Sequence, residues 1–558
     1  MKFSEMKYER PDIEAFKAQV LALVEEQRQA KSGEEQLEIH KKWYALSEDF
    51  ETAYVICHVR HDMDNTDEFY DKENDFFDEV LPEVSELKNQ YYKVLYDSPY
   101  RDVLEAKLGP VTFKNIELDL KSMDASIMEL KQQENALVSK YVKLIATAEI
   151  EFEGETYNLS LLTPKATDKD RKVREAAEKA ISDWFMSKAE EIDDIYDQLV
   201  KNRTAQAKAL GFETFTELGY CRMHRNSYGR AEVENFRKQI KESFVPFVGK
   251  LCERRSKRLE LDKLQTADMG IYFKEGNPKP VGNDSKILEA GQRMYEQLSP
   301  LTKEFFDFMM ENELFEVLGR KTKTAGGYQT YLSKYKSPFI YANFNGSSGD
   351  VDVITHECGH GFQCYLTRED ENPEHNEIGM ETAEIHSMSM EYFTYDWMEQ
   401  FFGEGFKDYL TMHLEDSCVF LPYGTMVDEF QHIVYDNPDM TPAERNECWK
   451  KLEEQYRPYF DFSDSEYNST GRTWQKKSHI FCVPFYYIDY VLASCVAMQF
   501  KVLMDENREE AWDKYVKLCK LSASDYYTNM LKTVGLKLPF EDGCVAEIVE
   551  KLSKKQGL

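Results

Sequence analysis

The sequence predicts a mostly α-helical protein with a small β-region next to one chemically marked helix. Three observations carry this prediction. Apolar residues recur at three- and four-residue steps through long charged stretches, β-type alternation is confined to short segments, and VDVITHECGHGFQCYLTR itself has helical periodicity.

From Pro11 to about Lys143 the pattern is that of long amphipathic helices. Pro11 suits a first helical turn, and Phe16, Val20, Leu23 and Val24 form a buried stripe. A β signal follows, in which Ile150 and Phe152 alternate with Glu149, Glu151 and Glu153 before a turn at Gly154 and a return through Thr156 and Tyr157. Helical character resumes near Asp168 and runs to Leu210, where Gly211 stands at a C-cap position. The stretch from Thr266 to Asp284 concentrates Gly, Pro, Asn and Asp and is expected to be irregular. Between Lys321 and Asp350 glycine pairs mix with aromatic β-formers, and Pro338 argues for an edge strand over Phe339 to Asn343. A strand edge can hold an extended peptide by main-chain hydrogen bonds, which makes Phe339, Tyr341 and Asn343 candidate substrate-binding residues.

Composition narrows the function classes. With 558 residues the chain can bury a large core without dense disulfides. Acidic residues outnumber basic ones by 102 to 70, a formal charge of -32 that offers no footprint for nucleic acid. Eleven cysteines without a C-x-x-C read as reduced thiols, so a cytoplasmic protein is expected. The N-terminus is charged from its second residue, unlike a secretory signal. The most apolar region, Phe481 to Val502, is broken by Asp489, Gln499 and Lys501 and falls short of the ~18 uninterrupted apolar residues of a membrane span, so no membrane partner is expected.

The marked segment contains His356-Glu357-x-x-His360, with Asp350 placed to cap its helix and Val351, Ile354 and Phe362 as the buried stripe. Four residues make about one turn, so both imidazoles project to a common point, as a tetrahedral zinc requires, and Glu357 lies beside it as a base for a zinc-bound water. About 0.02 such matches are expected by chance in a chain with this many histidines. The site needs a third protein ligand, and EIGMETAEIHSMSMEYF offers Glu377, Glu381, Glu384, His386 and Glu391. Glu381, Glu384 and Glu391 share a helix face, and spacing does not choose among them. A third segment, SHIFCVPFYYIDY, places His479, Tyr486, Tyr487 and Tyr490 near the start of an apolar helix. Such neutral donors suit the oxyanion of a tetrahedral intermediate, although an aromatic-rich core helix explains them as well.

The run PFIYANFNGSSGDVDVITHECGHGFQCY, followed by ETAEIHSMSMEY and HIFCVPFYYIDY, resembles the oligoendopeptidase F and Pz-peptidase branch of the thimet oligopeptidase family of zinc metallopeptidases. The likeness extends upstream through LGFETFTELGYCRMHRNSYGR to the YERP start. The resemblance makes His356 and His360 the zinc histidines, Glu357 the catalytic base and Glu384 the third ligand. It makes His479 the oxyanion-side histidine, with Tyr487 and Tyr490 as donors and Tyr486 a further candidate for substrate contact. Gly326, Gly327 and Tyr328 resemble a flexible loop near the site. The resemblance also implies a neurolysin-like gluzincin fold of two helical lobes enclosing a deep substrate channel. Residues 1–195 would form the N-terminal lobe and 196–558 the catalytic domain, with a small sheet beside the zinc helix.

The expected protein is therefore a zinc oligoendopeptidase, with one Zn2+ per chain, that cuts internal bonds of short unstructured peptides. A zinc carboxypeptidase or dipeptidase would share the site and need cations such as Arg368 or Arg472 for the substrate's carboxylate. A non-catalytic peptide-binding scaffold would have no use for Glu357 beside the metal.

Overall fold

The computed structural model describes residues 1–558. They form two units, each discontinuous in sequence: Met1–Leu120, Lys279–Phe406 and Leu503–Leu536 in the first, and Lys121–Pro278, Lys407–Val502 and Lys537–Leu558 in the second. The expected segments 1–195 and 196–558 do not coincide with these units. Residue 195 lies inside one continuous helix, Arg171–Ala209, and each unit gathers helices from distant parts of the chain.

The first unit begins with three helices, α1 (Ile13–Gln29), α2 (Gly33–Met63) and α3 (Glu68–Tyr96). Their starts are set by side-chain caps: Asp12, Ser32 and Asp67 accept from the backbone N–H of Ala15, Glu35 and Phe69 at 3.0, 3.1 and 2.9 Å. Pro11 therefore precedes the first helix and is not part of its first turn. The expected stripe Phe16, Val20, Leu23 and Val24 is buried in one cluster with Trp43 and Phe50 of α2 and Phe77 and Tyr91 of α3.

A three-stranded sheet stands later in this unit, built from β1 (Phe315–Glu316), β2 (Gly327–Leu332) and β3 (Ser337–Ala342). The order is β1-β3-β2, with β3 parallel to β1 and antiparallel to β2. This corrects the sequence expectation: the segment read as an edge strand is central and buried along its whole length, and β1 and β2 are the edges. Pro338 is tolerated because it stands at the second residue of β3, next to the turn. Phe339 and Tyr341 are buried, and the Asn343 side-chain amide donates to the carbonyls of Arg320 and Lys323 at 3.2 Å, so all three serve the sheet. Gly327 and Tyr328 open β2 instead of forming a loop, and Tyr328 stacks on Tyr341 at 4.9 Å between ring centroids.

Two helices pack beside the sheet, α4 (Gly349–Thr367) and α5 (Met380–Phe393). The α4 stripe of Val351, Ile354, Cys358 and Phe362 is fully buried. Asp350 sits inside the first turn, and its carboxylate accepts from the N–H groups of Asn345 and Gly346, tying the preceding loop to the helix. At Gly359 the helices approach so closely that a Cβ would lie 2.6 Å from the His386 carbonyl oxygen and from Ser387 Cα.

In the second unit the hairpin Ile150–Phe152 with Glu155–Tyr157 forms as expected, turning through Glu153 (φ 53°) and Gly154 (φ 86°). Helix Arg171–Ala209 packs on Met128–Ala146 and ends before Gly211, which has the positive φ of a C-terminal stop. The residues from Thr266 to Asp284 are irregular apart from single turns. Tyr487–Leu521, of which residues 487–502 belong to this unit and 503–521 to the first, has non-helical backbone at Asn507 and is long and apolar enough to cross a membrane. However, 72% of its most apolar window is buried within the protein, so it is a core helix.

Gly359→Ala should lower the melting temperature by a few degrees. The about 1 kcal/mol of helix propensity gained is outweighed by overpacking against backbone, about 1–3 kcal/mol. Gly249→Ala, in a helix where nothing lies within 4 Å of the added Cβ, should hold or raise it. Thermal melting followed by circular dichroism compares the two. An unchanged value for Gly359→Ala would show that α4 and α5 separate without cost.

Candidate active site

His356 and His360 stand one turn apart on α4, where the buried stripe on the opposite face fixes the helix rotation. Their rings are 5.1 Å apart and nearly perpendicular at 82°. Glu384 reaches across from α5, its Oε2 lying 3.3 Å from His356 Nε2 and 3.7 Å from His360 Nε2. The ligand atoms of the three residues all lie within 4.8 Å of one another. Glu391, two turns along the same face of α5, takes the other side of the ring, with Oε1 2.6 Å from His356 Nδ1. Glu381 is buried at the start of α5 with its carboxylate against Gly379, and His386 is buried with neither ring nitrogen hydrogen-bonded. Spacing had left Glu381, Glu384 and Glu391 equivalent, and the crossing of α5 over Gly359 separates them.

The donor set fits a divalent metal ion. Ligands at about 2.0–2.1 Å from a tetrahedral zinc lie about 3.4 Å from one another, close to the two separations that Glu384 makes. Protonation agrees. Burial lowers the His360 pKa to about 4, leaving a neutral imidazole. At Glu384 burial favours the neutral acid, but the hydrogen bond from His356 and the nearby His360 outweigh it and hold the carboxylate ionised. Burial would likewise lower the His356 pKa, and its hydrogen bonds to Glu384 and Glu391 reverse that and raise it well above the ordinary value. Two carboxylates enclosed around one imidazole call for positive charge, and Glu391 orients His356 so that Nε2 faces the cluster.

Glu357 is buried between the histidines in sequence and does not join the cluster. Burial pushes its pKa up to about 7, with the His356 charge opposing, and its carboxylate accepts a hydrogen bond from the backbone N–H of Gln329 in β2. The sheet explains why that N–H is available. Ile340 N donates to the Leu314 carbonyl at 2.9 Å, away from β2, so its partner Gln329 is not hydrogen-bonded to β3. By the same alternation the backbone groups of Gly327, Gln329 and Tyr331 all face away from β3, along the open edge.

The aromatic segment lies in the second unit. His479 is on the short helix Ser478–Cys482, which Arg203 anchors by donating to the carbonyls of Ile480 and Phe481 while its Nε holds Glu134 at 2.7 Å. Phe485 adopts a left-handed φ of 68°, held by Gln431 Oε1 on its N–H at 2.9 Å and by Arg225 on its carbonyl. Around His479 the rings of Tyr487, Tyr486 and Tyr490 have centroids at 4.8, 5.8 and 6.2 Å. Burial, with the Lys477 charge adding to it, lowers the His479 pKa to about 4, so the ring is neutral. Lys477 donates to the Tyr487 hydroxyl at 3.0 Å, and Tyr486 donates to the Tyr490 hydroxyl at 2.7 Å. Tyr487 is buried, and Tyr486 and Tyr490 are half-buried. Sequence reasoning passed over Lys477, whose place two residues before His479 was its only signal.

The two arginines considered for a substrate carboxylate are engaged within the fold. Arg368 donates to the Tyr365 carbonyl at 2.5 Å and lies 3.6 Å from that ring's centroid, while Arg472 donates to Thr470 Oγ1 at 2.9 Å.

Comparison with known proteins identifies the family of the chain. Residues 3–123 match the peptidase M3 N-terminal domain, and residues 166–550 match peptidase family M3. Oligopeptidase PepF of Bacillus subtilis (strain 168) is 22% identical over 547 residues, 90% of this chain and 78% of that protein. An oligoendopeptidase F homolog of Borreliella burgdorferi is 20% identical over 526 residues, 89% of this chain and 86% of that protein. The solved structure of Pz peptidase A with an inhibitor superposes with a TM-score of 0.93 at 46% identity, covering 100% of this chain and 99% of that one. The two histidines and the glutamate of α4 and α5 thus stand in a chain that belongs to peptidase family M3, a family of metallopeptidases.

Proposed function

We propose that this peptidase is a zinc endopeptidase that cuts internal bonds of short, unstructured peptides. The observation that carries the reading is the convergence of His356, His360 and Glu384 beside a separate, buried Glu357 that the edge strand holds in place. The likeness to oligopeptidases and Pz peptidase supports peptide substrates. Eleven free thiols favour a reducing compartment, the cytoplasm.

Zinc held by these three residues would supply Lewis acidity, polarising the scissile carbonyl and making a water acidic enough to attack it near neutral pH. Glu357 accepts the proton that this water gives up, and a pKa near 7 suits a group that must both take and return one. As the hydroxyl adds to the carbonyl carbon and the C–N bond breaks, the carboxyl of Glu357 delivers the proton to the departing nitrogen. The N–H of Gln329 keeps the Glu357 carboxylate aimed through both transfers. On the resemblance, His479, Tyr487 and Tyr490 serve as oxyanion donors. Of the tyrosines, Tyr490 with its partner Tyr486 suits that task better than Tyr487, whose hydroxyl is buried and takes a hydrogen bond from Lys477.

The open edge of β2 is proposed to take the substrate's main chain. Gly327 and Tyr331 direct both backbone groups outward and Gln329 its carbonyl, its N–H being held by Glu357, so an extended peptide can pair along the edge at alternate residues. Folded segments have those groups already paired.

The reading is tested with an internally quenched ten-residue peptide blocked at both ends. Cleavage that a chelator abolishes and zinc restores is expected, and a requirement for a free terminus would replace the endopeptidase reading with an exopeptidase.

Glu357→Gln should keep the metal, because no ligand is touched, and lose turnover by about 10²–10⁴-fold. Elemental analysis alongside single-turnover rates decides this, and loss of the metal would contradict the proton-transfer role.

Glu384→Ala should lose metal and activity together, Glu391→Gln should weaken metal binding by about 10–100-fold through the misoriented His356, and Glu381→Ala should do neither. Zinc titration against a fluorescent chelator ranks the three. Stripping of zinc by Glu381→Ala alone would refute the assignment of Glu384.

A further inference from the structure

The first unit contains a cavity of about 350 Å³ that the proton-transfer chemistry does not use. It is walled by α2 and α3 on one side and by the end of β2 and the C-terminal turns of α4 on the other, and its size is in the range of small-ligand pockets. We propose that this cavity binds a positively charged group of the peptide substrate, an ammonium carried by a lysine side chain or by the free N-terminus, a few residues from the bond that is cut. The proposal rests on the peptidase reading above and adds to it a determinant of substrate choice.

The lining carries the argument. Trp43, Tyr44 and Tyr54 of α2, Tyr92 of α3 and Tyr331 of β2 give it five aromatic rings, and Glu48 and Glu51 of α2 add carboxylates. Cations also reach the lining, but each is already engaged. Lys88 pairs with Glu377 at 3.2 Å, Lys336 pairs with Glu369 at 2.7 Å, and Arg368 lies on the Tyr365 ring. Two further acids are likewise occupied: Glu374 by His40 at 2.7 Å and by the Tyr44 hydroxyl, and Asp370 by His375 at 2.9 Å. Glu48 and Glu51 are different. Neither makes an ion pair, and Glu51 accepts a single hydrogen bond, from Ser333 Oγ at 3.3 Å. Loss of hydration in the cavity wall raises the pKa of both, against the opposing charges of Lys336 and Lys334 at Glu48 and of Lys88 at Glu51, none of which forms an ion pair with them. A cation entering here gains two carboxylates and several aromatic faces at once.

The cavity also lies in line with the open edge. Tyr331 is both a lining residue and the last outward-facing residue of β2, two positions after Gln329, which holds Glu357. Two residues of strand span about 6.6–6.8 Å. A peptide paired along this edge therefore presents a residue to the cavity two to four positions from the scissile bond. The chain's excess of 32 negative charges would draw in the same class of peptide at low salt.

The test uses the metal-loaded full chain and a blocked, otherwise neutral quenched peptide. Lysine or norleucine is placed at each of the second to fourth positions on either side of the cut, and a parallel pair differs only in a free or acetylated N-terminus. At one position lysine should raise kcat/KM about tenfold over norleucine, mainly through KM. A gain confined to the free-terminus pair would identify the α-amino group as the source. The lysine-to-norleucine ratio should fall towards one in Glu51→Gln and Glu48→Gln and invert in Glu51→Lys, with melting temperatures confirming folding. Cleavage of the neutral peptide with no preference above twofold at any position would overturn the proposal, as would a preference that both glutamine variants retain. The wild-type series decides the matter even where a variant fails to fold. No cleavage of any member would instead overturn the peptidase reading beneath it.

Discussion

The enclosure of Glu384 between two imidazoles is the constraint on which the active region depends. A buried carboxylate is tolerated only when opposite charge or several donors surround it. Here His356 and His360 stand within 3.3 and 3.7 Å of Glu384 Oε2, Ser387 donates to that carboxylate at 3.0 Å, and Glu391 secures the far nitrogen of His356. Two of the ligand separations are thus already close to what a tetrahedral ion needs, with a neutral His360 and an ionised Glu384, while His356, whose pKa is raised by its two carboxylates, has to release a proton as a metal binds.

That arrangement requires two helices to touch along their backbones. Gly359 lies between the two histidines in the metal motif, and its missing side chain is what lets α5 come within reach of α4. The sheet meets a second requirement. Because β3 gives its N–H groups alternately to β1 and β2, every other residue of β2 faces outward, and one of these holds Glu357. Under the proposed function, Glu357 is thereby fixed by the strand proposed to align the peptide, and Gln329 would link substrate alignment to proton transfer.

In the second unit, buried ionic contacts stabilise a backbone that propensity does not favour. Phe485 in a left-handed conformation costs on the order of 1–2 kcal/mol. Arg225 offsets this by donating to the Phe485 carbonyl while its guanidinium meets Asp489 at 3.1 Å with both side chains buried. Breaking such a pair by removing one partner costs about 3–5 kcal/mol, so the turn that brings Tyr486, Tyr487 and Tyr490 around His479 is held more firmly than it is strained. Lys477 contributes in two ways, binding the Tyr487 hydroxyl and helping to keep His479 neutral.

Much of this was legible in the residues themselves. Periodicity alone determined the helical class, the stripe Phe16, Val20, Leu23 and Val24, and the hairpin at Gly154, because each depends on neighbours within a few positions. The spacing of His356 and His360 likewise determined the candidate metal-binding pair on α4, since one helical turn places the two imidazoles together without help from the rest of the chain. Three matters lie beyond what spacing and periodicity encode. The choice among Glu381, Glu384 and Glu391, which spacing left open and the family resemblance made in favour of Glu384, depends physically on how α5 crosses α4, a rotation that residues on one helix face do not encode. The edge position of β2 depends on β1, two residues long and too short to leave a sequence signal, which pairs with β3 and makes it central. The two units depend on apolar faces drawn from segments hundreds of residues apart, a pairing that local patterns cannot specify because any buried stripe is compatible with many partners.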